Sequence, residues 1–362
     1  MHPPLSFSSV TLAAAFLLLF GSVGHSAWAA PTPIAAEQNS PMAVPKSSES
    51  KNTRPTRLDV LKRLAERGNP EAQYNLALLY DEGGELPQDK AEALKWYTKS
   101  AEQGFAKAQY NLAIMYDEGE GGPENNAQAV VWYTKAAQQG DPAAMFNLAI
   151  MHGRGEGVPA NKAESRRWFL RAAEAGDISA MFNLALIYDE GDDIPENNGE
   201  AVKWYQKAAE RGHPKAQLNL GLMYDEGEGI TEDNVEAVKW YRRAAEQGNP
   251  KAQFNLGLML ARGEGIVADK AEALKWYLRA AVQGDVSAQY NLALAYEEGE
   301  GTTKDMVSAY VWYQMAADRG DEDARNNQAA LKLRMSPKQL TEADKRLVSQ
   351  KRKTEKRSLR SP

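Results

Sequence analysis

Apolar and polar positions along most of this chain recur every 36 residues. Gly68, Gly104, Gly140, Gly176, Gly212, Gly248, Gly284 and Gly320 keep that step, with no insertion or deletion between them. So do Trp96, Trp132, Trp168, Trp204, Trp240, Trp276 and Trp312. In the first unit Ala72, Leu76 and Tyr80 stand at i, i+4 and i+8, a stripe that predicts an amphipathic helix A. Ala93, Trp96, Tyr97, Ser100 and Ala101 stand at i, i+3, i+4, i+7 and i+8 and predict a second, helix B. One such hairpin cannot cover its own apolar face. It must stack on copies of itself, and a fixed period of this length is the mark of a solenoid.

Residues between the stripes mark the helix ends. Asn69-Pro70 supplies a capping side chain and a proline at the first helical position, and Pro142, Pro214 and Pro250 repeat this. Gly83-Gly84 stops helix A, and Gly104 follows helix B as a C-terminal glycine. Asp89 with Glu92 three residues on reads as a capping box at the start of helix B. Its equivalents are Asn125/Gln128, Asn161/Glu164, Asn197/Glu200, Asp233/Glu236 and Asp269/Glu272, and the last, Asp305/Ser308, lacks the box partner.

The predicted fold is therefore all-α, a solenoid of seven 36-residue helix-turn-helix repeats over 68–319 with helical caps at 57–67 and 320–344. Val60 replaces the tryptophan in the first cap, and Ala324, Asn327 and Leu331 begin a degenerate eighth unit. Val10–Phe20 is an apolar run of eleven, too short to span a bilayer of ~30 Å as a helix. Ala27-Trp28-Ala29 then offers small residues at −3 and −1, so residues 1–29 read as a secretory signal cleaved near Ala29. No Lys or Arg precedes the run, and the rival reading is an uncleaved anchor. Residues 30–56 read as a disordered Pro/Ser-rich linker. Residues 345–362 carry eight Lys or Arg against one acid and read as a disordered basic tail. With a net charge of −6 for the whole chain, the body is acidic. No later segment is apolar enough to cross a membrane, and with no cysteine the fold uses no disulfide.

Residues 68–319 resemble the Sel1-like repeat, a relative of the tetratricopeptide repeat. The match lies in Ala-Gln-Tyr-Asn-Leu-Ala-x-x-Tyr-x-x-Gly, the Gly-Glu-Gly loop and Ala-x-x-Trp-Tyr-x-Lys-Ala-Ala-x-x-Gly. His152 and Leu260 depart from it in helix A of repeats three and six, and Phe169 replaces the tyrosine after Trp168. The resemblance implies a right-handed α/α superhelix used as an adaptor. Its exported bacterial members are periplasmic or secreted scaffolds, including assembly factors, signalling regulators and host-interaction proteins, one group of which binds secretory immunoglobulin A. Its cysteine-rich branch does not fit a chain without cysteine.

Parts for catalysis are scarce. Beyond the leader only His152 and His213 remain as histidines; the first takes a helix A packing position and the second a cap position before Pro214. They sit in different repeats, and no local spacing makes a metal site of them. No phosphate-binding loop or nucleophile elbow occurs. No enzyme activity, cofactor or metal is expected. Asp81-Glu82, Asp117-Glu118, Asp189-Glu190, Asp225-Glu226 and Glu297-Glu298 end helix A, where negative charge opposes the helix dipole. They read either as an acidic ridge for basic partners or cations, or as solvated loops; they lack the order of a calcium hand. Gly153-Arg154 and Ala261-Arg262 break the series in repeats three and six.

The candidate binding feature is the row Asn75, Asn111, Asn147, Asn183, Asn219, Asn255 and Asn291, since Asn is a mediocre residue inside a helix. By analogy with tetratricopeptide grooves these carboxamides would hold an extended peptide on the concave face. The alternative is a structural ladder. The Trp-Tyr pairs, at core spacing, read as packing rather than as an aromatic ligand box. The sequence-level expectation is an exported, monomeric scaffold for a protein or peptide partner, periplasmic or secreted. A secreted factor that binds a host glycoprotein such as secretory immunoglobulin stands second, and an envelope hydrolase third. Nucleic acid is not an expected partner, and the basic tail is suited to anionic envelope polymers.

Overall fold

A computed structural model describes residues 55–358 apart from Asp193, with side chains described through Thr354. The expected leader, nearly all of the expected linker, and residues 359–362 lie outside the described residues. Those described form helices and turns with no strand. A first helix, α1 (Arg57–Glu66), precedes seven hairpins: α2 and α3 (Pro70–Glu82, Lys90–Glu102), α4 and α5 (Ala106–Glu118, Asn126–Gln138), α6 and α7 (Pro142–Arg154, Lys162–Glu174), and α8 and α9 (Ile178–Glu190, Asn198–Glu210). They continue as α10 and α11 (Pro214–Glu226, Asn234–Glu246), α12 and α13 (Pro250–Arg262, Lys270–Gln283), and α14 and α15 (Val286–Glu298, Met306–Ala317). Two more helices, α16 (Glu322–Lys332) and α17 (Pro337–Ser358), follow. Substantial helix contacts join chain neighbours throughout, as in a solenoid, and only α17 reaches further, onto α15 and α13.

Both stripes point inward. Leu112, Leu148, Leu184, Leu220 and Leu256 of helix A are fully buried, as are Tyr97, Tyr133, Tyr205 and Tyr241 of helix B. Small residues set how closely the two helices approach. Where most repeats have alanine, such as Ala77, repeats five and six have Gly221 and Gly257, and a Cβ there would press into the rings of Tyr241 and Tyr277. These two hairpins therefore pack tighter than their neighbours.

Helix B starts where the caps placed it, but the expected capping box is only half made. Asp89 accepts from the Glu92 amide at 3.0 Å. Its own N–H is already held, donating to the Tyr80 carbonyl at 2.8 Å, and Asn125, Asn161, Asn197, Asp233, Asp269 and Asp305 close their loops onto helix A in the same way. With that donor engaged, the third-position carboxylate turns outward. Glu92 binds Lys95 and Glu236 binds Lys239, three residues along the same helix. A complete box occurs at Thr56/Asp59, at the start of α1.

The tail departs from expectation as well. Lys345 does not begin an unstructured segment, because α17 runs unbroken to Ser358. Its stripe of Leu340, Ala343 and Leu347 packs against the last hairpin, with Ala343 fully buried. Arg346 and Lys351 bind Asp305 and Asp318 of that hairpin. The basic charge is partly neutralised by the acidic body, and an apolar face every third or fourth residue gives the helix something to bury.

Candidate partner-binding face

The asparagine row divides in two. Asn111 Nδ2 donates to the hydroxyl of Tyr97 at 3.0 Å, and that hydroxyl donates to Asp81 Oδ2 at 3.1 Å. Asn219, Tyr205 and Asp189 repeat the relay at 2.9 Å for both bonds. Tyr241 and Tyr313 likewise donate to Asp225 and Glu297. Each relay ties the end of one helix A, through a buried tyrosine, to helix A of the next repeat. Asn147 and Asn255 lie against the hydroxyls of Tyr133 and Tyr241, and Asn75 is exposed on α2.

This accounts for the acids that oppose the helix dipole. At Asp81, Asp189, Asp225 and Glu297 the first residue of the acidic pair is the acceptor for a buried phenol, and that bond is worth more than the few tenths of a kcal/mol lost to the dipole. Neither expected reading of these acids, open ridge or solvated loop, describes that first residue. The signal lay in the sequence as an Asp paired with a Tyr 16 residues on. No group of three or more His, Asp or Glu side chains is placed to hold a metal among the described residues.

Repeat three removes both partners of the relay at once. Phe169 stands for the tyrosine and Gly153 for the acid. Asn183 then turns to the Ser179 carbonyl of its own helix, at 2.8 Å. Repeat six keeps Tyr277 but has Ala261 for the acid, and Asn291 turns back in the same way, onto Ser287.

A second ladder is interrupted at the same place. Gln109 Nε2 donates to the Ala101 carbonyl, and Gln139 donates to Gln109 at 2.7 Å; Gln217 and Gln253 are braced alike by Gln247 and Gln283. In repeats three and four the inner glutamine becomes Met145 and Met181, and the outer one Ala175 and Arg211. Sequence reasoning passed over these glutamines, although in repeats three and four both partners, 30 residues apart, change together.

Where the relay is missing, a cavity of about 580 Å³ opens over α6, α8 and α10. Phe146, Ile150, Phe169, Phe182 and Ile187 supply its apolar wall, and Lys162, Glu190, Asp192 and Lys215 its charges. Phe146 meets Phe169 edge-on with centroids 5.6 Å apart. Lys162 is paired with Asp192. Glu190 Oε1 is shielded from solvent and has no hydrogen-bond partner. Burial, and then the charges of Asp189 and Asp192, push its carboxyl pKa upward. Beside Asp192 the sequence carries Asp193 where Gly121, Gly157, Gly229, Gly265 and Gly301 stand in other repeats.

His213 closes one end. Its ring stacks on Phe182 at 4.5 Å, and Nδ1 accepts from the Ala216 amide as the cap of α10. Burial, aided by Lys215, lowers its pKa from 6.5 to about 4. A neutral ring is required, since a protonated Nδ1 cannot accept. The unfolded chain takes up the proton first, so stability should fall as pH drops from about 6.5 and level off near the folded value of about 4. Replacing His213 with asparagine, the residue at the corresponding Asn69 and Asn249, should remove on the order of 1 kcal/mol of that acid sensitivity. Melting curves at pH 7 and pH 4.5 test this. An equal loss in both proteins would refute it.

Six of the seven tryptophans are nearly buried, in line with a packing role. Each of the first six also carries a cation three residues on. Lys99, Lys135 and Lys207 sit 3.6–3.8 Å above the rings of Trp96, Trp132 and Trp204, and Arg171, Arg243 and Arg279 cover Trp168, Trp240 and Trp276. These contacts shield the outer edge of helix B from solvent.

Comparison with known proteins agrees with this architecture. A family model described as the Sel1 repeat matches seven times in succession, at residues 70–105, 106–141, 142–177, 178–213, 214–249, 250–285 and 286–321. The structure is similar to that of a protective antigen present in uropathogenic Escherichia coli strains, described as displaying an SLR fold. Identity is 35% and the TM-score 0.75, over 83% of this chain and 64% of that protein, so the chain spans just under two thirds of the antigen's length. A Sel1 repeat protein from Oxalobacter formigenes is 31% identical, with a TM-score of 0.61 over 78% of this chain and 83% of that one. No curated protein matches the chain.

Proposed function

The chain belongs to the Sel1 repeat family, and on that premise we propose that it is an exported scaffold whose helix A face holds a protein partner in the periplasm or outside the cell. Proteins built from this repeat are generally scaffolds for protein–protein interaction, and the fold is typically without enzymatic activity. The observation that carries the reading to a place on this chain is the cavity over α6, α8 and α10. In repeats with the full relay, asparagines such as Asn111 and Asn219 bind tyrosine hydroxyls, whereas here the relay is replaced by open apolar surface beside a carboxylate oxygen without a partner. Pockets of this size, apolar with a few convergent polar groups, are the usual form of a binding site.

Export is supported by the apolar run and small-residue site at the N-terminus. The likeness to a protective antigen supports the second reading, a secreted factor whose partner is a host glycoprotein. Fractionation separates the two, since the second requires the protein in the medium. A photo-crosslinking residue at Phe182 should capture a defined partner in intact cells, while one at Val131, exposed on α5, should not. Equal capture from both positions, or turnover abolished by one point mutation outside the core, would overturn the scaffold reading.

A further inference from the structure

We infer that the cavity between α6, α8 and α10 takes an extended peptide from the partner, with a bulky apolar side chain seated among Phe146, Phe169 and Phe182 and a Lys or Arg beside it bound to Glu190. The inference rests on the scaffold reading and names the chemistry of its partner.

The apolar half follows from what repeat three has lost. In the other relays an acid at the end of helix A and a phenol on helix B fill the space between hairpins. Gly153 and Phe169 remove the carboxylate and the hydroxyl together. Removing the hydroxyl alone would strand a buried carboxylate, and removing the acid alone takes away the acceptor of the phenol, as at Tyr277 in repeat six. Their joint loss leaves a pocket without that penalty. Met145 and Met181, where other repeats have polar glutamines, add to the apolar character of the hairpins that line it and are 5% and 3% exposed. Three aromatic rings facing one space suit an aromatic or branched aliphatic anchor, the group that dominates peptide and protein recognition.

The cationic half follows from Glu190. Its Oε1 is out of contact with solvent and lacks a donor. Asp189 and Asp192 stand near enough to raise its pKa, so the field at this end of the cavity is negative. Asp192 is answered by Lys162, and Asp189 by the Tyr205 hydroxyl. Glu190 has no such answer within the chain. A carboxylate shielded in this way gains most from a charged donor, and a Lys or Arg side chain supplies one. Lys215 lines the cavity at its His213 end, whereas Glu190 ends α8. Ser179 and Glu190, both lining residues on α8, are eleven positions apart. That spans ~16 Å, about five residues of extended chain. The spacing suits an anchor at the centre and a cation toward Glu190. Asn183, bonded only to its own helix, stands between them as a contact for the peptide backbone.

Titration of the full chain with fluorescent hexapeptides tests the proposal. The probes are Gly-Ser-Trp-Arg-Ser-Gly, the same peptide with Glu for Arg, and the same peptide with Ser for Trp. The Trp-Arg peptide should bind at least ~10-fold tighter than either control. Glu190→Gln, nearly isosteric, should reduce the preference for Arg over Glu to under ~3-fold and keep the dependence on Trp. Gly153→Asp with Phe169→Tyr should rebuild the relay to Asn183, put polar groups against the anchor's seat, keep or raise the melting temperature, and weaken binding at least ~10-fold. Equal binding of the three peptides, binding unchanged by the double substitution, or uptake of a neutral hydrophobe such as 1-naphthol with the peptides rejected would each overturn the inference. If Phe182 still crosslinks a partner while the peptides fail, the scaffold reading survives and only the peptide chemistry falls. Loss of both removes the reading as well.

Discussion

Replacing Gly229 with alanine should destabilise the array by about 3–5 kcal/mol, whereas the same change at Gly212 should cost about 1–2 kcal/mol. Both glycines have positive φ, +67° and +93°, so both substitutions carry the strain of the left-handed region. They differ in surroundings. A Cβ on Gly212 would meet nothing within 4 Å, but one on Gly229 would overlap the backbone of Asn198 at the start of α9. Backbone at a helix start cannot swing aside as a side chain can. The fourth and fifth hairpins would have to separate at that seam, and packing at the seam would be lost with it. Because contacts run between neighbours, the damage should be local, and urea unfolding should broaden or split into two transitions rather than shift as one. A single transition moved equally by both substitutions would show that close approach at the seam is unimportant.

Tyr205→Phe should cost about 2–3 kcal/mol, since it strips the donor from half-buried Asp189 and the acceptor from Asn219. Asp189→Gly should cost a similar amount, leaving a buried phenol without its acceptor and placing glycine near the end of a helix. The double substitution copies the pair found in repeat three. It should be less damaging than the sum of the singles by about 1–2 kcal/mol, because neither group is then left without the other. Denaturant titration of the four proteins gives the coupling. Simple additivity would mean that hydroxyl and carboxylate act independently, and the origin assigned to the cavity would fail with it. The singles should lower the transition midpoint without changing its slope, provided the hairpin stays folded.

How much of this was legible in the sequence depended on distance along the chain. Helix A and helix B were readable because their signals are local: a stripe of Ala72, Leu76 and Tyr80, a cap at Asn69, a glycine at 104. The capping box at Asp89 and Glu92 was misread for a reason that is also physical. A cap amide can have only one good acceptor, and the carbonyl of Tyr80, brought near by the loop, takes it before the Glu92 side chain can. Nothing in the spacing of three residues shows that competitor.

The asparagine row was found but not resolved, because its meaning lies in pairs 14 and 16 residues away. Once Asp81, Tyr97 and Asn111 are seen as one unit, the break in repeat three becomes a matched loss instead of two unrelated departures. The expected tail failed for the opposite reason. Its charge was counted over Lys345 to Pro362, while the stripe that makes it a helix begins at Leu340, before the count starts.

The two interrupted ladders also make the rod mechanically uneven. In repeats one, two, five and six, bridged glutamines clamp one hairpin to the next. At the third and fourth, Met145 and Met181 carry no amide to bridge, and at the fourth Arg211 spans the joint through the Gly176 carbonyl instead. Such a joint bends at small cost. It joins hairpins that line the cavity, so a ligand seated across α6, α8 and α10 would act as a splint, and whatever grips the rod there sets the curvature of the whole.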